Sequence, residues 1–366
     1  MKLNAILRQY EAALREKYAG RLLPSMFRAI HVLLACKTEA AGSFKLQCTE
    51  CREEILRPRS CGHRSCVQCQ NHETSRWLDR QFAKLLPVEY FMVTFTLPYE
   101  LRSLAWKNQT VVYNILFECA ASTLKDFGLN PNNLGADIGM TGMLHTHSRR
   151  LDYDRQGWWK CKREAGAEVV HPHCHFIVPG GGINWLRKQW IKLKGNYLFN
   201  EFALARVFRA RCLAAFNKAQ LSIPFGVPQK WVVHCKQVGH GKPALKYLSR
   251  YLYRGVISEK NIISNENGYV TFQYIDSKTG KTQCRRLKGE EFCWLVLQHV
   301  LPKGFRRVRD YGFLHGNAKK KLHLIQLVLQ VIIENLILRP RPVFSCPHCQ
   351  SPMNIIGFIL PQWQSG

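Results

Sequence analysis

Three groups of residues in this 366-residue sequence are spaced for chemistry: alternating histidines, paired cysteines and a pair of tyrosines. The segment His171-Pro-His173-Cys174-His175-Phe176 puts an imidazole at every second position. On an extended strand, residues two apart project to one face. His171, His173 and His175 therefore share a side, while Cys174 and Phe176 turn into the core. Adjacent imidazoles can grip a divalent cation and leave positions open for substrate oxygens. A lone histidine is ordinarily a satisfied core residue; three in alternation read as ligands. The third ligand is open between His171 and His145. The latter lies in Met143-Leu-His-Thr-His147, which is expected to form a neighbouring strand. Gly180 to Gly182 permits either a sharp exit or a close backbone approach.

The cysteines number fifteen. The first 20 residues carry Arg8, Glu11, Arg15, Glu16 and Lys17 and do not read as a secretory signal, so thiols and metal ligands are expected rather than disulfides. Cys48-Thr-Glu-Cys51 and Cys66-Val-Gln-Cys69 are two C-x2-C knuckles with 14 residues between them. This spacing predicts one tetrahedral Zn²⁺ shared by Cys48, Cys51, Cys66 and Cys69. Cys36, Cys61, His63 and His31 are left over as candidates for a second site. Cys346-Pro-His-Cys349 is half a site whose partners must come from elsewhere.

Tyr247 and Tyr251 stand at i and i+4, which on a helix places them on one face. Leu248 and Leu252 form an apolar stripe beside them, so a core role is the ordinary reading. Lys246, Arg250 and Arg254 on the same short stretch favour a role at an anion. A phenol, with pKa near 10, is a poor nucleophile unless cations stabilise the phenolate and polarise its target.

These groups are carried by an α+β pattern with a mainly antiparallel sheet. Amphipathic helices occupy residues 1 to about 35. Strands are predicted at Tyr90–Leu97, Met140–His147, Val169–Val178 and Trp231–Lys236, with a charged insert from Asp152 to Glu168. Helices are predicted at 108–127, at Trp185–Phe216 (long and basic), at Lys242–Tyr253, at 290–300 and at 317–337. A hairpin joins Tyr269–Ile275 to Thr282–Leu287. Three consecutive domains follow from this division: a helical and Cys-rich zinc-binding domain at 1–86, a catalytic domain at 87–315, and a C-terminal helix with a Cys-x2-Cys tail at 316–366.

Lys and Arg total 53 against 25 Asp and Glu, a net charge of +28. That excess favours a polyanionic partner, because each neutralised phosphate releases condensed counterions. No apolar run reaches the ~18 residues of a spanning helix; the most apolar stretch, Leu322–Leu338, is interrupted by His323, Gln326, Gln330, Glu334 and Asn335. An intracellular, nucleic-acid-directed, metal-binding protein without a membrane partner is expected. Arg57, Arg59, Arg64 and Arg76 near the knuckles, with Arg306, Arg307, Arg309 and Lys319 to Lys321, are candidate phosphate contacts.

In order along the chain, the cysteine knuckles, Thr94-Phe-Thr-Leu-Pro98, His171 to Gly182, Tyr247 with Tyr251, and Leu301 to Gly312 resemble the two-tyrosine transposases of the bacterial insertion-sequence ninety-one family, within the HUH (His, hydrophobic, His) rolling-circle proteins. The resemblance implies an HUH endonuclease-like antiparallel sheet with flanking helices and a small N-terminal zinc-binding domain. It implies that His173 and His175 hold Mg²⁺ or Mn²⁺, with Cys174 in the hydrophobic position, and that Tyr247 and Tyr251 attack single-stranded DNA at the ends of a mobile element. A 5′-phosphotyrosine link and rolling-circle transposition follow, in a bacterial cytoplasmic, nucleoid-associated protein. No G-x-x-x-x-G-K-[ST] motif is present, and strand transfer that conserves phosphodiester energy needs none. Two other readings stand beside this one: a zinc-dependent nucleic-acid-binding protein without catalysis, and a metal-dependent nuclease that uses activated water.

Overall fold

The computed structural model describes residues 2–69, 71–147, 170–193, 195, 197–252, 257–276, 279–332, 338 and 343–361, with backbone alone at 71–74, 247, 248 and 250–252. The predicted insert Asp152–Glu168 lies outside the described residues, as does Arg254.

The chain opens with helices α1 (Leu3–Lys17) and α2 (Pro24–Ala35), strands β1 (Ser43–Cys48) and β2 (Glu54–Pro58), and helix α3 (Asn71–Phe82). Strand β3 (Tyr90–Thr96) is followed by helices α4 (Arg102–Lys107) and α5 (Gln109–Leu129). Next come β4 (Met140–His147), β5 (Val170–Pro179), β6 (Gly181–Asn184), β7 (Gln189–Lys192) and α6 (Glu201–Lys218). Strand β8 (Val232–Gln237) leads to α7 (Lys242–Leu252). Strands β9 (Ile262–Glu266), β10 (Tyr269–Ile275) and β11 (Thr282–Lys288) precede α8 (Gly289–Leu297). Last are β12 (Val308–Tyr311), α9 (Lys319–Val328), β13 (Phe344–Ser345) and β14 (Pro352–Ile359).

The chain groups into two interleaved units rather than three consecutive segments. One comprises 1–77, 253–300 and 337–366; the other comprises 78–252 and 301–336. The cause of the first grouping is strand pairing between distant parts of the sequence. β14 pairs antiparallel with β1, which also pairs with β2, in a sheet ordered β13-β14-β1-β2. In the same unit α1 buries Leu3, Ile6, Leu7, Tyr10 and Leu14, one helical stripe. Tyr18 stacks on Trp294 of α8 at 4.5 Å, and the β9–β11 meander forms a further sheet.

The second unit is built on an antiparallel five-stranded sheet in the order β12-β4-β5-β3-β8. One face carries Phe91, Val93, Phe95, Leu144, Cys174, Phe176 and Val178 into a core shared with α5 and α6, through Phe117, Leu204, Phe208 and Phe216. The histidine strand β5 is thus central, and its other face is free to carry polar groups.

Two predicted helices differ from the structure. The expected helix from Trp185 to Phe216 is a β6–β7 hairpin followed by α6. The three glycines before it explain why. A Cβ on Gly182 would lie 2.6 Å from the Asp137 carbonyl oxygen, and one on Gly181 would lie 2.7 Å from that of Ile191. The close approach that glycine permits is therefore to the protein's own backbone. Helix α6 starts only at Glu201, where the Asn200 side chain accepts a hydrogen bond from the Ala203 N–H at 3.0 Å. The helix expected at 317–337 ends at Val328, with Gln330 turning left-handed at φ 54°.

Phe176 sits edge-on to Phe95 and Phe117, with ring centroids 5.9 and 6.3 Å apart. It is fully buried behind the histidine face. Phe176→Ala is expected to cost roughly 3–5 kcal/mol of stability, read as a lowered urea midpoint with little change in slope.

Candidate active site

Strands β4 and β5 pair so that His145 lies directly opposite His173, with Met143 opposite His175. The ring centroids are 5.1 Å apart for His145–His173, 4.5 Å for His145–His175 and 4.9 Å for His173–His175. Ligand atoms of the three lie within 4.8 Å of one another. Of the two candidates for a third ligand, the structure brings His145 into this group and leaves His171 out. A cross-strand neighbour starts from Cβ atoms ~5 Å away. His171 instead supplies its carbonyl, which accepts a hydrogen bond from His173 Nδ1 at 2.7 Å.

That bond fixes a tautomer. A carbonyl only accepts, so His173 carries its proton on Nδ1 and its lone pair on Nε2. His175 Nδ1 is likewise engaged by Thr94 Oγ1 at 2.7 Å, from the paired position on β3. Burial, with the neighbouring His173 imidazole, lowers the pKa of His175 to about 3. It lowers that of His171 to about 4, where His173 and Arg102 add to the effect. His173 is shifted down by burial in spite of the His171 carbonyl. Neutral imidazoles at neutral pH are the form that ligates, and the downward shifts of His173 and His175 favour it; three imidazole donors so placed fit a divalent metal ion.

The cysteines form two clusters, and the knuckles do not share an ion as the sequence spacing suggests. Cys66 and Cys69 are completed by Cys36 and Cys61; Cys48 and Cys51 are completed by Cys346 and Cys349. The reason is that β1 runs straight into the first knuckle and is covered by β14, which brings the tail knuckle alongside. Cys36 lies at the end of α2, 3.6 Å from Cys66 and 3.4 Å from Cys69 between sulfurs. Cys61 is 3.7 Å from Cys69. Hydrogen bonding from Cys36 draws the Cys69 thiol down, while hydrogen bonding to Cys36 drives Cys61 up. Four thiols so placed compete for protons, a conflict that a divalent cation removes. His31 and His63, also left over in the sequence, belong to neither group; His63 Nδ1 accepts the Ser65 N–H at 3.2 Å.

Tyr247 and Tyr251 both lie on α7, one turn apart, and their side chains lie outside the described residues, as does that of Arg250. Helix α7 follows β8, whose partner β3 also pairs with the histidine strand, and Ala244, Leu245 and Ser249 of the helix are buried. One predicted phosphate contact is corrected. Arg309 faces inward, 4.4 Å from the Phe117 ring and 5.1 Å from that of Phe305, bonded to Asn114. Lys321 lies 5.0 Å over the Trp185 ring. Thr94 is the residue that the site reading overlooks. It was visible in Thr94-Phe-Thr96 only as a strand pattern, because its role depends on which residue the neighbouring strand places opposite.

Residues 166–321 match a family described as putative transposase, and residues 6–97 match the transposase zinc-binding domain. The chain is 32% identical over 344 residues to the putative transposase y4qJ of Sinorhizobium fredii, across 88% of this chain and 82% of that one. It is 28% identical over 303 residues to the transposase for insertion sequence element IS801 of Pseudomonas savastanoi pv. phaseolicola, across 77% and 68%. No solved structure matches it. A zinc-binding unit joined to a transposase region makes this an enzyme that acts on DNA. The chain belongs to the insertion-sequence ninety-one family of transposases, and its function is that of a DNA transposase. Among the described residues, no helix is long and apolar enough to cross a membrane.

Replacing Thr94 by Val removes the partner of His175 Nδ1 while keeping the β-branched shape. Divalent-metal affinity at the histidines is expected to fall ~10–100-fold and to recover in Thr94→Ser, as measured by isothermal titration calorimetry.

Proposed function

We propose that the chain nicks and joins single-stranded DNA at the ends of a mobile element through a 5′-phosphotyrosine intermediate, as in rolling-circle transposition. The observation that carries this reading is the trio His145, His173 and His175 on one face of the paired strands β4 and β5, in the same unit as the helix of Tyr247 and Tyr251. The five-stranded sheet with His-Cys-His at its centre suits an HUH-type fold. The trio would hold the catalytic divalent ion. Of the two ions expected, three nitrogen donors suit Mn²⁺ better than the oxygen-seeking Mg²⁺. When bound, such an ion polarises the scissile phosphate and neutralises charge that develops on its oxygens.

The chain's own residues do the rest. The phenol oxygen of Tyr247 or Tyr251 attacks phosphorus in line, and its proton passes to solvent. The P–O3′ bond breaks as the Tyr–O–P bond forms, leaving a free 3′-OH. The second tyrosine repeats the step on another end, or the 3′-OH attacks the phosphotyrosine and restores a phosphodiester. Thr94 and the His171 carbonyl keep the ligating nitrogens directed. Cys36, Cys61, Cys66 and Cys69 would hold a structural Zn²⁺, and the +28 charge draws in the DNA.

Incubation of the protein with end-derived single-stranded DNA and Mn²⁺, followed by denaturing gels, tests the proposal. A covalent protein–DNA adduct is expected, and it should vanish when Tyr247 and Tyr251 are both replaced by Phe. Cut DNA without an adduct identifies a nuclease that uses water, and a mobility shift alone identifies a binding protein. His173→Ala should lose cleavage and retain binding; metal-dependent cutting that persists in it rejects the ligand assignment.

A further inference from the structure

We propose that Cys48, Cys51, Cys346 and Cys349 form a second structural zinc site, assembled from two distant parts of the chain, so that the C-terminal segment is a working part of the N-terminal zinc unit. The four belong to one compact unit, yet Cys346 and Cys349 lie outside both matched family regions.

The sulfur spacing is the first argument. Cys48 and Cys349 are 3.4 Å apart, and Cys51 lies 3.6 Å from both Cys346 and Cys349. Zinc–sulfur bonds of ~2.3 Å in a tetrahedron give sulfur–sulfur edges of about 3.8 Å. A disulfide needs about 2.05 Å, and all four cysteines are free.

The backbone is the second argument, because the two knuckles share one conformation. The Cys48 N–H bonds to the Glu53 carbonyl and the Cys346 N–H to the Ser351 carbonyl, each five residues on and each at 2.9 Å. The residue after the second cysteine is left-handed in both: Arg52 at φ 63° and Gln350 at φ 62°. Neither is glycine, so each carries the strain of that conformation. Two unrelated sequences, Cys-Thr-Glu-Cys-Arg and Cys-Pro-His-Cys-Gln, adopt the same turn and aim their thiols at one point.

The third argument is energetic. Around this cluster the buried apolar residues are Leu46, Cys48, Cys346 and Met353, with Phe44, Ile55 and Phe344 partly buried against them. A core of this size does not hold a four-stranded sheet by itself and calls for a metal or a cross-link. Zn²⁺ supplies it by displacing the four thiol protons to solvent and binding four thiolates, with no change of oxidation state.

The site can be read in the full-length protein by alkylation and mass spectrometry, with the exposed Cys284 as internal control. Cys51 and Cys349 are also exposed, so exposure alone predicts that they react with iodoacetamide as fast as Cys284. The zinc site predicts that both stay unmodified in zinc-replete protein and become reactive together on chelation. Reaction at the rate of Cys284 overturns the proposal, as does protection that yields only to a reductant. Cys346→Ser with Cys349→Ser should lose one zinc equivalent and retain the equivalent held by Cys36, Cys61, Cys66 and Cys69. In the Co²⁺-loaded protein the thiolate charge-transfer band should fall by half. Unchanged zinc content in that variant rejects the site.

Discussion

The register between β4 and β5 is the constraint on which the site depends. A trio of imidazoles drawn from two strands exists only while His145 stays opposite His173. A slip by one residue turns every side chain of a strand to the other face. The register is held from the core face. Gly142 stands opposite Phe176, and a Cβ there would lie 2.6 Å from the Phe176 ring. Sliding Thr141 or Met143 into that position would push a side chain into the ring. On the histidine side, Thr141 donates to Asp310 Oδ1 at 2.7 Å, and Lys84 meets Asp310 Oδ2 at 2.6 Å, which ties β4 to its other neighbour, β12. The pairing that assembles the trio is thus specified by a glycine that never touches it.

The charge of the chain acts on the site in two ways. A net +28 concentrates phosphate near the protein. The same positive field opposes protonation of the buried histidines, and Arg102 contributes to it at His171 and His173. Each imidazole withdrawn from water loses the solvation that favours imidazolium. Attraction of an anionic substrate and availability of nitrogen lone pairs therefore reinforce each other. A site built of carboxylates would gain cation affinity but would repel a phosphate brought to it. Imidazole donors, which carry no charge when they ligate, would leave the full charge of a bound ion directed at substrate.

Much of this was legible in the sequence where chemistry and local periodicity coincide. The strands β3, β4, β5 and β8 and the β10–β11 hairpin fall where the sequence places them, and a row of histidines on one face of β5 follows from period two, whereas the choice of His173 and His175 rests on the family resemblance. What the sequence did not disclose depends on partners far along the chain. Cys48 and Cys66 look like one site because 14 residues separate their knuckles, but local spacing carries no information about β14, some 300 residues downstream of β1. The leftover cysteines and the tail knuckle were the trace of that error: the four unassigned thiols Cys36, Cys61, Cys346 and Cys349 imply that some pairing is wrong. The region after Gly182 misled for a similar reason, since glycine signals a close approach without naming what approaches.

The two kinds of ligand set also separate metals by chemistry. Soft thiolates select zinc strongly, whereas imidazoles accept most first-row divalent ions. The affinity order of those ions puts zinc above manganese at nitrogen sites as well. A three-histidine centre that held Mn²⁺, as proposed, would be exposed to capture by zinc, and its geometry alone would not prevent this. Thiolate clusters that fill first, at zinc levels too low to load imidazoles, give the chain its structural metal without requiring zinc in excess. The proposed catalytic role of the histidine trio would then rest on the supply of manganese relative to free zinc rather than on ligand geometry.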